Sequence, residues 1–315
     1  MLLPTLLIVG GLVLLGFGAE GLVRGSASAA LRLGVAPLVV GLTIVAFGTG
    51  SPELVVSISA ALNGNSSIAL GNVVGSNITN IALILGAAAV VRPMTVRATV
   101  IRREVPIMIA VSCFLWLLIY DGGLGRIDGA ILAAGSLAYT FFTYRASQKK
   151  DKKLVEAEFA EALEPSRQSV WVDVVFIVAG LALLVGGANL LLSGAVTIAK
   201  QFGISEVVIG LTIVAIGTSL PELATSVLAA LKNEPDIAFG NAIGSNVLNI
   251  LAVLGLTALI EPVSALEIRP LDLGAMIGSA FLLWLLLGRN FRLDRTEGTL
   301  LLIGYAIYLY TLWPQ

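Results

Sequence analysis

Residues 41–86 return at 210–255 without a gap, and 26 of the 46 positions are identical. The retained positions include Thr49, Pro52, Glu53, Ser57, Asn72, Ser76 and Asn80 and, 169 residues on, Thr218, Pro221, Glu222, Ser226, Asn241, Ser245 and Asn249. A merely hydrophobic helix has no need to keep such a polar set twice, so the duplication predicts two copies of one site. The same offset pairs Gly11 with Gly180, Pro93 with Pro262, Gly129 with Gly298 and Tyr139 with Tyr308, so it extends over both halves of the chain.

How two copies can be arranged depends on the solvent. With 57% apolar and 12% charged residues and a mean hydropathy of +0.96, the 315-residue chain is too hydrophobic for a soluble globule and fits a polytopic membrane protein. Apolar segments fall at about 2–31, 36–62, 67–91, 104–120 and 127–145. After a polar run at 146–169, rich in Lys and Glu, five more follow at 170–201, 205–231, 236–260, 271–288 and 298–313. Most are long enough for the roughly 20 residues of a bilayer crossing. The first lacks a basic leader and continues past Phe17, which reads as a helix and not a signal peptide. The expectation is an all-α polytopic membrane protein of ten transmembrane helices, with halves at 1–145 and 170–315 joined by a linker at 146–169. An odd number of crossings per half makes the second copy enter the membrane in the opposite sense, as an inverted repeat.

Charge tests the count. With both termini outside and the linker in the cytoplasm, sixteen Lys and Arg fall inside and only Arg126, Lys200 and Arg269 outside. The net charge of −1 argues for no nucleic-acid partner. There is no histidine, and Cys113 is the only cysteine, which removes the Ser-His triad, the HExxH motif and thiolate metal clusters. No cofactor is expected, and an intramembrane enzyme fits poorly. A channel also fits less well, since inverted halves with broken helices favour alternating access.

The chemistry gathers in the repeats. Glu53 and Glu222 are the only carboxylates placed deep in the repeat spans, where an ionisable group costs a few kcal/mol and marks a functional site. GTGSPE at 48–53 and GTSLPE at 217–222 put Gly and Pro where a helix loses backbone bonds and leaves carbonyls free. Thr49 and Ser57 lie four residues either side of Glu53, and Thr218 and Ser226 flank Glu222 likewise, so hydroxyls share the carboxylate's helix face. Asn72, Ser76 and Asn80, with Asn241, Ser245 and Asn249, form matching polar stripes beside GxxxG pairs at Gly71/Gly75 and Gly240/Gly244 that allow close helix approach. Two carboxylates with neutral oxygens and no soft ligand select a hard cation. Calcium, with its roughly 6 to 8 oxygen ligands and tolerant geometry, suits the set best, and the same oxygens could hold sodium ions in its place.

G-T-x-x-P-E followed by G-N-x-x-G-S-N-x-x-N, present twice, resembles the alpha repeats of the cation/calcium exchanger superfamily, particularly its prokaryotic sodium/calcium branch. The resemblance implies an antiporter that exchanges calcium for sodium by alternating access, functional as a monomer in the bacterial inner membrane. It implies that helices 2, 3, 7 and 8 enclose the ions while helices 1 and 6 slide across them. It places ion ligands at Ala46, Thr49, Gly50, Glu53, Ser76 and Asn80, and at Ala215, Thr218, Ser219, Glu222, Ser245 and Asn249, the two alanines through their carbonyls. Gly50 stands where the family pattern has Ser, and Asn249 where many members carry Asp. With only two titratable groups in the site, exchange of calcium or another divalent cation for protons is the alternative. Glu20 and Arg24, spaced i, i+4 on the first helix, are expected to form a local ion pair or to contact lipid headgroups.

Overall fold

The computed structural model describes residues 2–150, 169–202 and 215–312. Most of the 146–169 linker and the opening of the 205–231 segment, with the 210–214 end of the second repeat, lie outside the described residues. Among the described residues, ten helical stretches follow in order. They are α1 (Leu2–Leu33), α2 in two pieces (Pro37–Thr49 and Ser51–Leu62), α3 (66–91), α4 (Val100–Asp121), α5 (Arg126–Lys150) and α6 (Val170–Gln201). Beyond them come α7 in two pieces (Ala215–Thr218 and Leu220–Leu231), α8 (Pro235–Ile260), α9 (Pro270–Asn290) and α10 (Arg295–Leu312). Among the described residues, six stretches are individually long and apolar enough to cross a membrane, and the two pieces of α2 together make a seventh.

The breaks have local causes. Pro52 has no N–H to continue the helix and sits instead in the first turn of a new one, where the missing donor costs nothing. The two pieces of α2 accordingly meet at 44°, with Gly50 at φ −76°, ψ 4° between them. Pro221 does the same after Ser219, at φ −90°, ψ 8°. At the other boundary, α5 runs to Lys150, past the expected start of the linker at 146. Lys and Gln are good helix formers, and a change from apolar to charged marks where a helix leaves lipid, not where it ends.

Packing repeats the 169-residue offset. α1 lies against α6 along a glycine seam: a Cβ on Gly11 would stand 2.7 Å from the Gly187 carbonyl oxygen, and one on Gly180 would stand 2.8 Å from that of Gly18. The offset carries Gly11 onto Gly180 and Gly18 onto Gly187, so these two contacts exchange. α3 meets α10 at Gly86 and Gly298, and α8 meets α5 at their offset partners Gly255 and Gly129. Two short antiparallel ribbons follow the same rule. Met94–Thr95 pairs with Arg292–Leu293, and Gly123–Leu124 pairs with Val263–Ser264. Met94 faces Leu293 in one, while their partners Val263 and Leu124 face each other in the other. Each ribbon ties loops separated by an even number of helices, as required if every stretch crosses once.

Burial sorts the helices by layer. α3 and α8 are enclosed, with Leu70, Val73, Ile84, Ile243, Val247 and Leu254 fully buried. α1 and α6 present Leu2, Leu6, Val9, Phe17, Val175 and Val178 outward. A surface so apolar is stable only against lipid. The chain is an integral, all-α polytopic membrane protein.

Candidate functional site

The two helix breaks and the two polar stripes meet at the centre of the molecule. Glu53 and Glu222 each stand in the first turn after a break, where unpaired backbone N–H groups favour a carboxylate. Both are 1% exposed, and among the described residues neither pairs with a Lys or Arg. Ser219, from the second half, places its hydroxyl 3.2 Å from Glu53 Oε1 and 3.4 Å from Ser76 Oγ. Ser76 lies 3.4 Å from the same carboxylate oxygen. Glu53 is thus bound by one hydroxyl from each half.

Among the described residues, the buried side-chain oxygens without a hydrogen-bond partner include four on the expected ion ligands: Glu53 Oε2, Glu222 Oε2, Asn80 Oδ1 and Ser245 Oγ. Such atoms cost of the order of 1–3 kcal/mol each when nothing compensates them, so a native protein rarely keeps several together without a ligand. Three of the four can only accept while the glutamates are ionised, and acceptors without donors are what a cation needs. Asn249 is buried alongside, with Oδ1 3.5 Å from where a Gly50 Cβ would be. Gly50, Ala46, Phe47 and Asn249 line a small cavity with Leu54 and Val253. A side chain like that of Ser219 would occupy this space, so the two copies differ here in room as well as in chemistry.

Asn72 and Asn241 hold the breaks. Asn72 Nδ2 donates to the Glu53 carbonyl at 3.2 Å and to Ser57 Oγ at 3.0 Å, and Asn241 Nδ2 donates to the Glu222 carbonyl at 3.2 Å and Ser226 Oγ at 2.9 Å. Asn241 Oδ1 also accepts from Thr49 Oγ1 at 3.0 Å, joining the two halves. Ser57 and Ser226 therefore serve the asparagines. Asn241→Leu removes three buried bonds and is expected to lower stability by about 2–4 kcal/mol, with Asn72→Leu, which loses two half-buried bonds, costing less. Thermal unfolding of the purified variants checks the order.

The family described as sodium/calcium exchanger protein matches residues 3–145 and 172–313, nearly the whole chain. The chain belongs to the sodium/calcium exchanger family. Inner membrane protein YrbG of Escherichia coli is 39% identical, with 99% of this chain and 98% of that protein covered. The sodium/calcium exchanger MaX1 of Methanosarcina acetivorans is 32% identical over 98% of both. The fold is similar to solved structures of the sodium-calcium exchanger NCX_Mj, at a TM-score of 0.86 and 30% identity over the full length of both chains.

Against this family's pattern the structure buries Thr49, Glu53, Ser76, Asn80, Thr218, Ser219, Glu222, Ser245 and Asn249; hydrogen bonds join Glu53, Ser76 and Ser219, and Asn249 and Glu222 lie beside Gly50. The Ala46 carbonyl is not wholly free, because it accepts the Gly50 N–H at 3.0 Å. In the second copy the equivalent N–H, that of Ser219, turns to Ile216 and leaves Ala215 out of that bond. Of the GxxxG pairs, Gly240 and Gly244 approach α2 closely; the offset partners of their contacts, at 207 and 211, lie outside the described residues.

One expected contact is replaced. Glu20 forms its ion pair with Lys232 at the end of α7, and Arg24 lies over the Phe176 ring of α6, its guanidinium carbon 5.3 Å from the ring centroid. Tertiary partners compete with an i, i+4 neighbour that gains only a few tenths of a kcal/mol. Three groups were missed by pattern reading. Glu104 is fully buried against Arg103 and the Tyr139 hydroxyl, a pair closed across α4 and α5 that no periodicity signals. Asn77 and Asn246 join the centre through hydrogen bonds; their identity at the 169-residue offset was the available sign.

Proposed function

We propose that this protein is a secondary active antiporter that exchanges calcium for sodium across the membrane by alternating access. The observation that carries this is the set of buried, unpartnered oxygens on Glu53, Glu222, Asn80 and Ser245, contributed by both halves with no neutralising Lys or Arg among the described residues. Two carboxylates balance one divalent charge. Neutral hydroxyl and amide oxygens fill out a shell of the size calcium takes, and magnesium would have to shed more tightly held water to enter it. Sodium ions can divide the same oxygens between them, and competition for one pocket couples the two fluxes.

The halves 1–145 and 170–315 act as an inverted pair about the linker at 146–169, which lies in the cytoplasm with both termini outside. The exchanged contacts of the glycine seam and the ribbons support this arrangement. The ion site lies wholly within one chain, which supports function as a monomer, and the likeness to YrbG supports the bacterial inner membrane.

Calcium uptake into proteoliposomes loaded with sodium, at clamped potential, tests the proposal. Uptake is expected to need internal sodium. It should rise with an inside-positive potential if each cycle moves one net positive charge outward, a step worth about 2.3 kcal/mol per 100 mV. Uptake driven only by an acidic interior and indifferent to potential would replace sodium with protons as the counter-ion.

A further inference from the structure

Resting on the proposed cation site, we infer that Asn77 and Asn246, which supply it with no free oxygen of their own, are positioning residues that aim the amide oxygens of Asn249 and Asn80 at the ion. A carboxamide is a ligand only when its oxygen faces the cation; turned by half a rotation it presents a donor NH2 that repels one. Asn80 and Asn249 therefore need something to fix which end points inward.

The hydrogen bonds provide a polarity that begins at the backbone. Asn77 Nδ2 donates to the main-chain carbonyl of Asn246 at 3.1 Å, and a carbonyl can only accept. That leaves Asn77 Oδ1 on the other side, where only a donor fits. The donor is Asn249 Nδ2, at 3.1 Å. With its nitrogen engaged there, Asn249 has its oxygen directed away from Asn77, on the side where a Gly50 Cβ would lie 3.5 Å from it.

The second half runs the same device in reverse. Asn246 Oδ1 accepts from Asn80 Nδ2 at 3.4 Å, and Asn80 Oδ1 is left as one of the buried unpartnered oxygens. Asn246 Nδ2 ends on the Met108 sulfur at 3.3 Å, an acceptor with no donor to offer. Asn77 and Asn246 are 1% exposed, and each braces the asparagine of the opposite repeat. Both arms begin from an acceptor that cannot be turned into a donor, so neither amide can flip without leaving a buried group unpaired.

The inference separates orientation from packing. An Asp at 249 offers an oxygen whichever way it turns, so the need for Asn77 should fall when Asn249 is replaced by Asp. The experiment is a double-mutant cycle of Asn77→Leu with Asn249→Asp, and the matching cycle of Asn246→Leu with Asn80→Asp, read as the apparent KM for calcium in proteoliposomes. Asn77→Leu alone is expected to raise that KM by about 10–100-fold, the usual cost of losing a group that orients a metal ligand. In the Asn249→Asp background the same change should raise it by less than about 3-fold. A purely structural role predicts equal penalties in both backgrounds, and that result, or an unchanged KM in Asn77→Leu, would overturn the inference. If Asn77→Leu does not reach the membrane folded, the Asn246→Leu cycle decides. If neither leucine variant folds, Asn77→Ala, which removes both hydrogen bonds without adding bulk, is read through the same cycle, and an unchanged KM or equal penalties with Asn249 and with Asn249→Asp refute the relay. Wild-type protein that neither binds nor transports calcium would instead refute the ion assignment, which keeps the two failures apart.

Discussion

Glu53→Gln and Glu222→Gln are each expected to reduce calcium-driven exchange by at least about 100-fold, more than is typical for a residue that only orients a ligand. Each glutamate is buried at 1% exposure, has one oxygen with no protein partner, and faces a set of neutral acceptors. Gln keeps the shape but turns one ligating oxygen into a donor and removes half the charge that balances a divalent ion. The substitutions should not harm the fold. An ionised carboxylate in this position carries a desolvation cost that Gln does not, so the thermal midpoint in calcium-free buffer should be unchanged or higher. Calcium should raise the midpoint of the wild type and not of either variant, because a ligand stabilises only a state that binds it. Exchange above a tenth of the wild-type rate in both variants would remove Glu53 and Glu222 from the site.

The second large effect concerns the scaffold. A Cβ on Gly244 would lie 2.6 Å from the Leu42 carbonyl oxygen, 2.7 Å from Leu42 Cα and 2.9 Å from Ala46 Cβ, so α8 and the first piece of α2 touch through backbone. Neither helix can yield cheaply, since Ser245 and Asn249 on one and Thr49 on the other are buried and belong to the proposed cation site. Gly244→Ala is expected to cost about 3 kcal/mol or more, at the upper end for overpacking, and to lower the yield of monodisperse protein. Gly278→Ala in α9 is the control. Nothing lies within 4 Å of where a Gly278 Cβ would be, and replacing Gly by Ala in an open helix gains up to about 1 kcal/mol. Thermal unfolding in detergent separates the two, and a Gly244→Ala protein that melts like wild type would show that this contact does not constrain the bundle.

Both predictions draw on residues visible in the duplicated pattern, but they use it differently. Glu53 and Glu222 could be named from the chain because lipid makes a lone carboxylate expensive, and keeping two of them at one offset implies a use for both. The helix breaks were legible for a similar reason, since Pro52 and Pro221 lack a donor wherever they stand. The same offset recurs in the packing, where the contacts of the glycine seam and of the two ribbons exchange.

What the chain by itself determined is therefore the solvent, the helical class, the doubling and the two glutamates, because each follows from composition, spacing or the covalent chemistry of a residue. What only the tertiary structure decided is which of several equivalent partners a polar group takes. Glu20 chose Lys232 over Arg24, Ser57 and Ser226 went to asparagines instead of the carboxylates, and Glu104 closed on Tyr139 thirty-five residues away. The facing directions of Asn80 and Asn249 belong there too. A hydrogen bond needs its donor and acceptor within about 3.5 Å, and that proximity arises only when both halves have packed around one centre.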